Sequence, residues 1–313
     1  MNLTKIELLW SRICPYSCAG CNMVQSEEKH QGTLDQWYKA IENFVKLGVQ
    51  FVPIYGAEPL LRWENLPELL RELKNVNIAY SIITAIPEHP NLQKLIDMDL
   101  MPSLTVSWDG EEATGDRAVK SKSGLQVISE FTGIPDRAVT ITVHGGNAHK
   151  IADMVKYALS KGIWVMLDIY HGSAGKYSKC SDGLQIPTRD QILDVMATLY
   201  YWKLRKEKIH WSKSFIEMVS SYYIKNPRDV WHCGGCEVGW LTVDADGSIY
   251  ACDDWQIPYS CKIWDDLDIW ELEFWAKNVV GDCPGCAWNT HFDACMIAAS
   301  GNIGNYIHTK RKV

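Results

Sequence analysis

No stretch of this sequence approaches the run of about 18 uncharged apolar residues that a membrane helix requires. The N-terminus, Met1-Asn2-Leu3-Thr4-Lys5, has none of the three regions of a signal peptide and enters a strand pattern directly. A cytoplasmic location is the expectation. Positive charge is also short, with 31 Lys and Arg against 38 Asp and Glu and a formal charge of −7. Such a chain has no basic face that would bind nucleic acid by counterion release, so nucleic acid is not an expected partner. Lys310-Arg311-Lys312 reads as a solvated tail. Internal repeats and low-complexity tracts are missing too. The 313 residues suffice for one large domain or two ordinary ones.

Cysteine is what the chain has in excess. Ten of its 11 cysteines fall in two groups, near either end, and Cys180 stands alone between them. Without signs of secretion, disulfides are disfavoured. Cysteines two or three residues apart in a reducing compartment are more often metal or cluster ligands.

Through the first two-thirds, short apolar runs alternate with amphipathic stretches. Strands are predicted at Lys5–Trp10, Phe51–Tyr55, Ala79–Thr84, Ser103–Trp108, Ala138–Val143 and Ile163–Ile169. Thr33 and Gln36 make a T-x-x-Q capping box ahead of Leu34, Trp37, Ile41, Phe44 and Val45 at helical spacing. Further helices are expected at Leu66–Lys74 and Asn147–Leu159, from a second box at Thr188 and Gln191 to about Lys206, and over Ser214–Ile224. Six strands alternating with helices imply parallel βαβ units. In such barrels the chemistry sits at the C-terminal ends of the strands. A boundary near Asn226-Pro227-Arg228 divides residues 1–225 from 226–313, where seven cysteines fall within 63 residues. Asp246-Gly247, flanked by Leu241, Val243 and Ile249, signals a hairpin there.

Cys14-x3-Cys18-x2-Cys21 follows the first strand. Three thiolates on one tight loop suit three irons of a [4Fe–4S] cube and leave the fourth iron open. A zinc loop would want a fourth ligand, and only His30 is near in sequence. The triplet resembles the signature of the radical S-adenosylmethionine (SAM) superfamily. The resemblance implies a partial (β/α)6 TIM-type barrel followed by a small cysteine-rich α+β iron–sulfur domain. It also implies that the open iron chelates SAM, that an electron from the cluster cleaves it to a 5′-deoxyadenosyl radical, and that the radical takes a substrate hydrogen. The family usually has an aromatic residue before the third cysteine, where this chain has Gly20; packing on the adenine would come from elsewhere, with Tyr16 and Met23 as candidates.

Gly56-Ala57-Glu58-Pro59 resembles the family's G-G-E-P, which makes Glu58 the expected partner of the SAM amino group. A helix-capping glutamate is the plainer reading of Glu58. Thr84 stands in place of a T-N-G segment. Val106-Ser107-Trp108-Asp109-Gly110, followed by Asp116-Arg117, resembles V-S-L-D-G…R of members with SPASM or twitch extensions. By that resemblance Ser107 would contact SAM, and Asp109 would orient substrate or a neighbouring loop; Asp109-Gly110 also reads as an ordinary turn. Asn147 is a further cofactor candidate.

Cys236-x10-Gly247-x4-Cys252 with Cys283-Pro-Gly-Cys286 is similar to the cysteine pattern of SPASM and twitch domains. Cys236, Cys252, Cys283 and Cys286 would hold an auxiliary [4Fe–4S] cluster, leaving Cys233, Cys261 and Cys295 as spare thiols or partial ligands of another. Four cysteines suit zinc as well, and that alternative stays open. Seven of the 14 tryptophans, Trp231, Trp240, Trp255, Trp264, Trp270, Trp275 and Trp288, lie in this part and are expected to shield clusters from water.

Cys180 is a candidate hydrogen donor in the loop after the sixth strand, against an incidental cysteine. His144 and His171 are candidate substrate or proton-transfer groups, against structural histidines. The expected substrate is a peptide, either a natural-product precursor or a protein. A sugar, nucleoside or lipid, or a non-catalytic iron–sulfur redox scaffold, are the alternatives. The barrel pattern starts within five residues of Met1, so no appended peptide-recognition domain is expected. A flavodoxin or ferredoxin would supply electrons.

Overall fold

The computed structural model describes residues 3–21, 30–110, 113, 115–170, 184–224, 239–252 and 257–281. Six strands alternate with helices. β1 (Lys5–Ser11), β2 (Phe51–Gly56), β3 (Ala79–Thr84), β4 (Ser103–Ser107), β5 (Asp136–Val143) and β6 (Trp164–Ile169) pair in parallel in that order. α1 (Leu34–Leu47), α2 (Leu66–Asn75), α3 (Pro90–Asp97), α4 (Gly115–Glu130) and α5 (Ile151–Ser160) make the crossovers; α6 (Arg189–Leu204) and α7 (Lys213–Ile224) follow. Among the described residues the sheet stays open, as a partial barrel does, with β6 at one end.

β1 is buried along its whole length because it has neighbours on both edges. On one side is β2. On the other, β7 (Trp240–Asp244) pairs parallel to β1 with Lys5 opposite Trp240 and Leu9 opposite Asp244. β8 (Ser248–Tyr250) and β9 (Pro258–Lys262) continue antiparallel, and α8 (Ile269–Gly281) follows. The cysteine-rich segment thus extends the barrel sheet by a meander. Its hairpin turns where Asp246-Gly247 predicts: Gly247 has φ +75°, and any Cβ there would meet the Trp264 ring at 2.4 Å.

Alternation along β1 separates two faces. Ile6, Leu8 and Trp10 join Trp37, Ile41 and Phe44 of α1 in the core. The other face carries Lys5 and Glu7, a buried ion pair, and Tyr55 donates to Glu7 at 2.8 Å. Lys5 and Glu7 line a cavity of about 900 Å³ with Ser81, Thr105 and His210. It opens among residues that begin β2 to β5 (Phe51, Ala79, Ser103 and Asp136), the end opposite the cysteine loop.

Both capping boxes form: the Gln36 amide donates to Thr33 Oγ1 and the Gln191 amide to Thr188 Oγ1, each at 3.3 Å. Periodicity did not anticipate α3 or α4. α3 spans 8 residues, and α4 carries Gly115, Gly124 and three serines, which blur an apolar stripe. Of the tryptophans expected to shield clusters, Trp240 is fully buried and Trp264 packs edge-on to Trp37 at 5.6 Å. Trp270 is 82% exposed. Trp231, Trp255 and Trp288 lie outside the described residues.

Candidate active site

Cys18, buried, and Cys14 and Cys21, half-buried, all lie on the loop that follows β1. Its last part is a tight turn: the Cys21 amide donates to the Cys18 carbonyl at 3.1 Å, and Gly20 in third position has φ +74°. A type II turn requires that conformation and favours glycine there. A side chain would also have to displace its neighbours, since a Cβ on Gly20 would lie 2.6 Å from Leu184 Cδ1 and 2.9 Å from Tyr170 Cε2. An aromatic residue at this position would be strained in the backbone and crowded by the ring of Tyr170, which lies just after β6 and packs against the turn. Tyr16 is half-buried, and Met23 lies outside the described residues.

Gly56 ends β2 at φ +135°, where a Cβ would fall 2.3 Å from the carbonyl oxygen of Ser11. That contact, with the Ala57 amide donating to Ser11 at 2.9 Å, brings the G-A-E-P run against the root of the cysteine loop. Glu58 is fully buried and caps the short helix Pro59–Leu61. Its Oε1 accepts from Thr84 Oγ1 (2.8 Å) and the Leu60 amide (3.1 Å), and its Oε2 from the Ala85 amide (2.8 Å). Burial pushes the Glu58 carboxyl up to about 7 against these stabilising bonds. Burial likewise pushes the Cys14 thiol up to about 11, with Glu58 and the other two thiols adding to the rise. Thr84 is the side chain that orients Glu58, and its hydroxyl also accepts from the Ile86 amide at 3.0 Å.

Asp109 lies at the end of β4 with both oxygens engaged. Oδ2 accepts from Arg117 Nη1 (2.8 Å) and Oδ1 from the Thr142 amide (3.2 Å). Ser107, half-buried, ends β4 beside Thr140. Asn147 spans the turn after β5: its Oδ1 accepts from the His144 amide and its Nδ2 donates to the Thr142 carbonyl, both at 2.8 Å. Burial, with the Arg117 cation nearby, lowers the His144 imidazole below its usual range.

Sequence reasoning missed the two arginines that hold the loop. Arg12, immediately after β1, forms a buried ion pair with Asp244 at the end of β7. Arg117 donates from Nε to the Ala19 carbonyl at 2.9 Å. Asp116-Arg117 was visible as a motif fragment; Arg12 had no local signal, because its partner is 232 residues away. Of the second cysteine group, Cys252 is buried just beyond β8, and Cys261 is half-buried on β9. Cys180, Cys233, Cys236, Cys283, Cys286, Cys295 and His171 lie outside the described residues.

Among the described residues no three Cys, His, Asp or Glu side chains converge on a single metal point. A cube spaces its ligands more widely, because each thiolate binds a different iron. Three cysteine side chains on one short loop, a buried carboxylate at its root and a backbone fixed by two glycines fit such a cluster.

No protein-family model matches the chain. Over 256 residues it is 25% identical to the PqqA peptide cyclase of Rhodopseudomonas palustris, covering 76% of this chain and 64% of that protein. Over 196 residues it is 24% identical to the GTP 3′,8-cyclase of Marinobacter nauticus, covering 58% of each. The chain thus spans less than two thirds of these curated relatives. Among solved structures, Streptococcus suis SuiB bound to its precursor peptide SuiA superposes with a TM-score of 0.67 at 13% identity, over 90% of this chain and 67% of that one. The structure of anSMEcpe with bound AdoMet gives 0.59 at 16% identity, over 90% and 82%. These solved structures share the fold. No helix among the described residues is long and apolar enough to cross a membrane.

Proposed function

We propose that this chain, a member of the radical SAM superfamily, removes a hydrogen atom from a peptide substrate and so modifies it. The observation that carries this reading is the cysteine loop lying against buried Glu58 at the C-terminal ends of the strands. Relatives named for peptide chemistry support the substrate class. Cys14, Cys18 and Cys21 would hold three irons of a [4Fe–4S] cluster. When bound, the cluster with SAM supplies a 5′-deoxyadenosyl radical. Gly56 lets the loop seat against β2, and Thr84 orients Glu58, which would accept from the SAM amine, with Ser107 and Asn147 as further residues that would contact the cofactor. Cys252, with Cys236, Cys283 and Cys286, would hold the auxiliary cluster within residues 226–313. A flavodoxin or ferredoxin is the expected electron donor.

The test is anaerobic incubation of reconstituted protein with SAM and dithionite. Formation of 5′-deoxyadenosine that disappears in the Cys14→Ala, Cys18→Ala, Cys21→Ala variant supports the reading; equal formation in that variant removes it. The GTP 3′,8-cyclase relative favours a nucleotide as second reading. Deuterium entering 5′-deoxyadenosine from deuterated GTP, and not from a deuterated peptide pool, would decide for the nucleotide.

A further inference from the structure

The turn that sets Cys18 apart from Cys21 is held by a side chain from another element. Arg117, in the first turn of α4, donates from Nε to the Ala19 carbonyl (2.9 Å) and from Nη1 to Asp109 Oδ2 (2.8 Å) and Thr142 Oγ1 (3.2 Å). Asp116, its neighbour, accepts from the Ser17 amide at 2.6 Å. Two consecutive residues of one helix therefore grip the stretch between Cys14 and Cys21. The orientation of the Ala19–Gly20 peptide is what distinguishes the common turn types, and the positive φ of Gly20 belongs to type II. A donor on the Ala19 carbonyl selects that orientation, and with it the directions in which Cys18 and Cys21 leave the turn. The arginine is itself immobilised, because its side chain is 10% exposed and that of Asp109 only 2%. A guanidinium suits this position because its planar fork reaches a carbonyl and a carboxylate in fixed directions, which an ammonium cannot do.

We propose that Arg117 is a positioning residue for the cluster-binding loop and that Asp109 acts through it. The proposal rests on reading the loop as the cluster site. Asp109 is then neither an acid–base group nor a substrate ligand.

Two changes separate positioning from general stability. Arg117→Lys keeps a cation beside Asp109 but gives up the Ala19 contact. The pair Arg117→Met with Asp109→Leu removes both charges, so that neither is left buried alone. Each protein is reconstituted anaerobically and followed by iron and sulfide content, by electron paramagnetic resonance of the reduced protein with and without SAM, and by thermal melting. The lysine variant should melt like wild type yet show a broadened cluster spectrum and a weakened response to SAM. Its rate of SAM cleavage should fall by on the order of a hundredfold, as small misplacements of reacting groups do. The double variant should show the same spectral defect; if it does not fold, the lysine variant decides. Wild-type iron content and spectra in Arg117→Lys, with and without SAM, would overturn the proposal. Failure of the parent reading looks different: the wild type itself then carries no iron that replacing Cys14, Cys18 and Cys21 removes, and both fall together.

Discussion

The two cysteine groups follow opposite plans. In the first, three thiols lie within eight residues, and the loop between them is fastened from outside. Gly56 seats it on β2, Arg12 ties its entry to β7, and Arg117 holds its last turn. In the second, the expected ligands Cys236, Cys252, Cys283 and Cys286 are spread over 51 residues. Bringing distant segments together costs loop entropy. Closely spaced ligands let the protein impose a geometry on its cluster; dispersed ones make the cluster the organiser of the protein.

The largest expected effect tests that contrast directly. Replacing Cys14, Cys18 and Cys21 by alanine should abolish SAM cleavage and remove about four irons while leaving the melting temperature of the protein nearly unchanged. Cys252→Ser should cost iron and also lower the melting temperature, because cluster binding there is folding energy. Equal destabilisation by the two changes, measured by calorimetry, would break the comparison.

Next comes the buried pair that joins the two regions. Asp244→Asn leaves Arg12 buried without its carboxylate and should cost about 3–5 kcal/mol in urea unfolding. Combining Arg12→Met with Asp244→Leu should recover most of that loss.

Glu58 sharpens the picture of the first region. Its folded pKa lies above the unfolded value, so the protonated acid favours the folded state. That stability is present below pH 4.5 and is lost as the pH rises to about 7. The cluster-free protein should therefore weaken across this window by about 3 kcal/mol, and Glu58→Gln should flatten the profile. In the loaded protein the same change should weaken SAM binding by about 1.5–3 kcal/mol with cluster content intact, measured by calorimetry.

The smallest effect belongs to Cys261, half-buried on β9. Cys261→Ser should leave the total at about eight irons if one auxiliary cube is present. A wild type with about twelve irons that falls on this change would instead show two auxiliary clusters by Mössbauer counting.

Much of the barrel was legible because parallel strands declare themselves as apolar runs, and the six predicted strands sit within about two residues of those observed. The helix starts were legible where a cap writes them, at Thr33 and Thr188. Gly247 was readable because the last residue of a three-residue hairpin loop takes a left-handed conformation that favours glycine. The loop clamps were not. Arg117 meets Ala19 across 98 residues, and Arg12 meets Asp244 across 232, so neither pair has a local pattern. Gly20 looked like a departure from a motif; its left-handed backbone and the side chains packed on it, Tyr170 and Leu184, give its reason.

The place of β7 beside β1 bears on how the chain is made. The strand that leads into the cysteine loop is bordered by a segment synthesised about 235 residues later, as the Thr4 contact to Gly239 records. At ribosomal rates of roughly 5–20 residues per second, that border is missing for roughly 10–50 s after β1 emerges. Until then Arg12 has no Asp244, and β1 is an exposed edge of the nascent sheet. Iron loaded during this interval would meet a loop whose entry is still untied. Delivery to the finished chain, by contrast, would meet a loop already anchored at its entry.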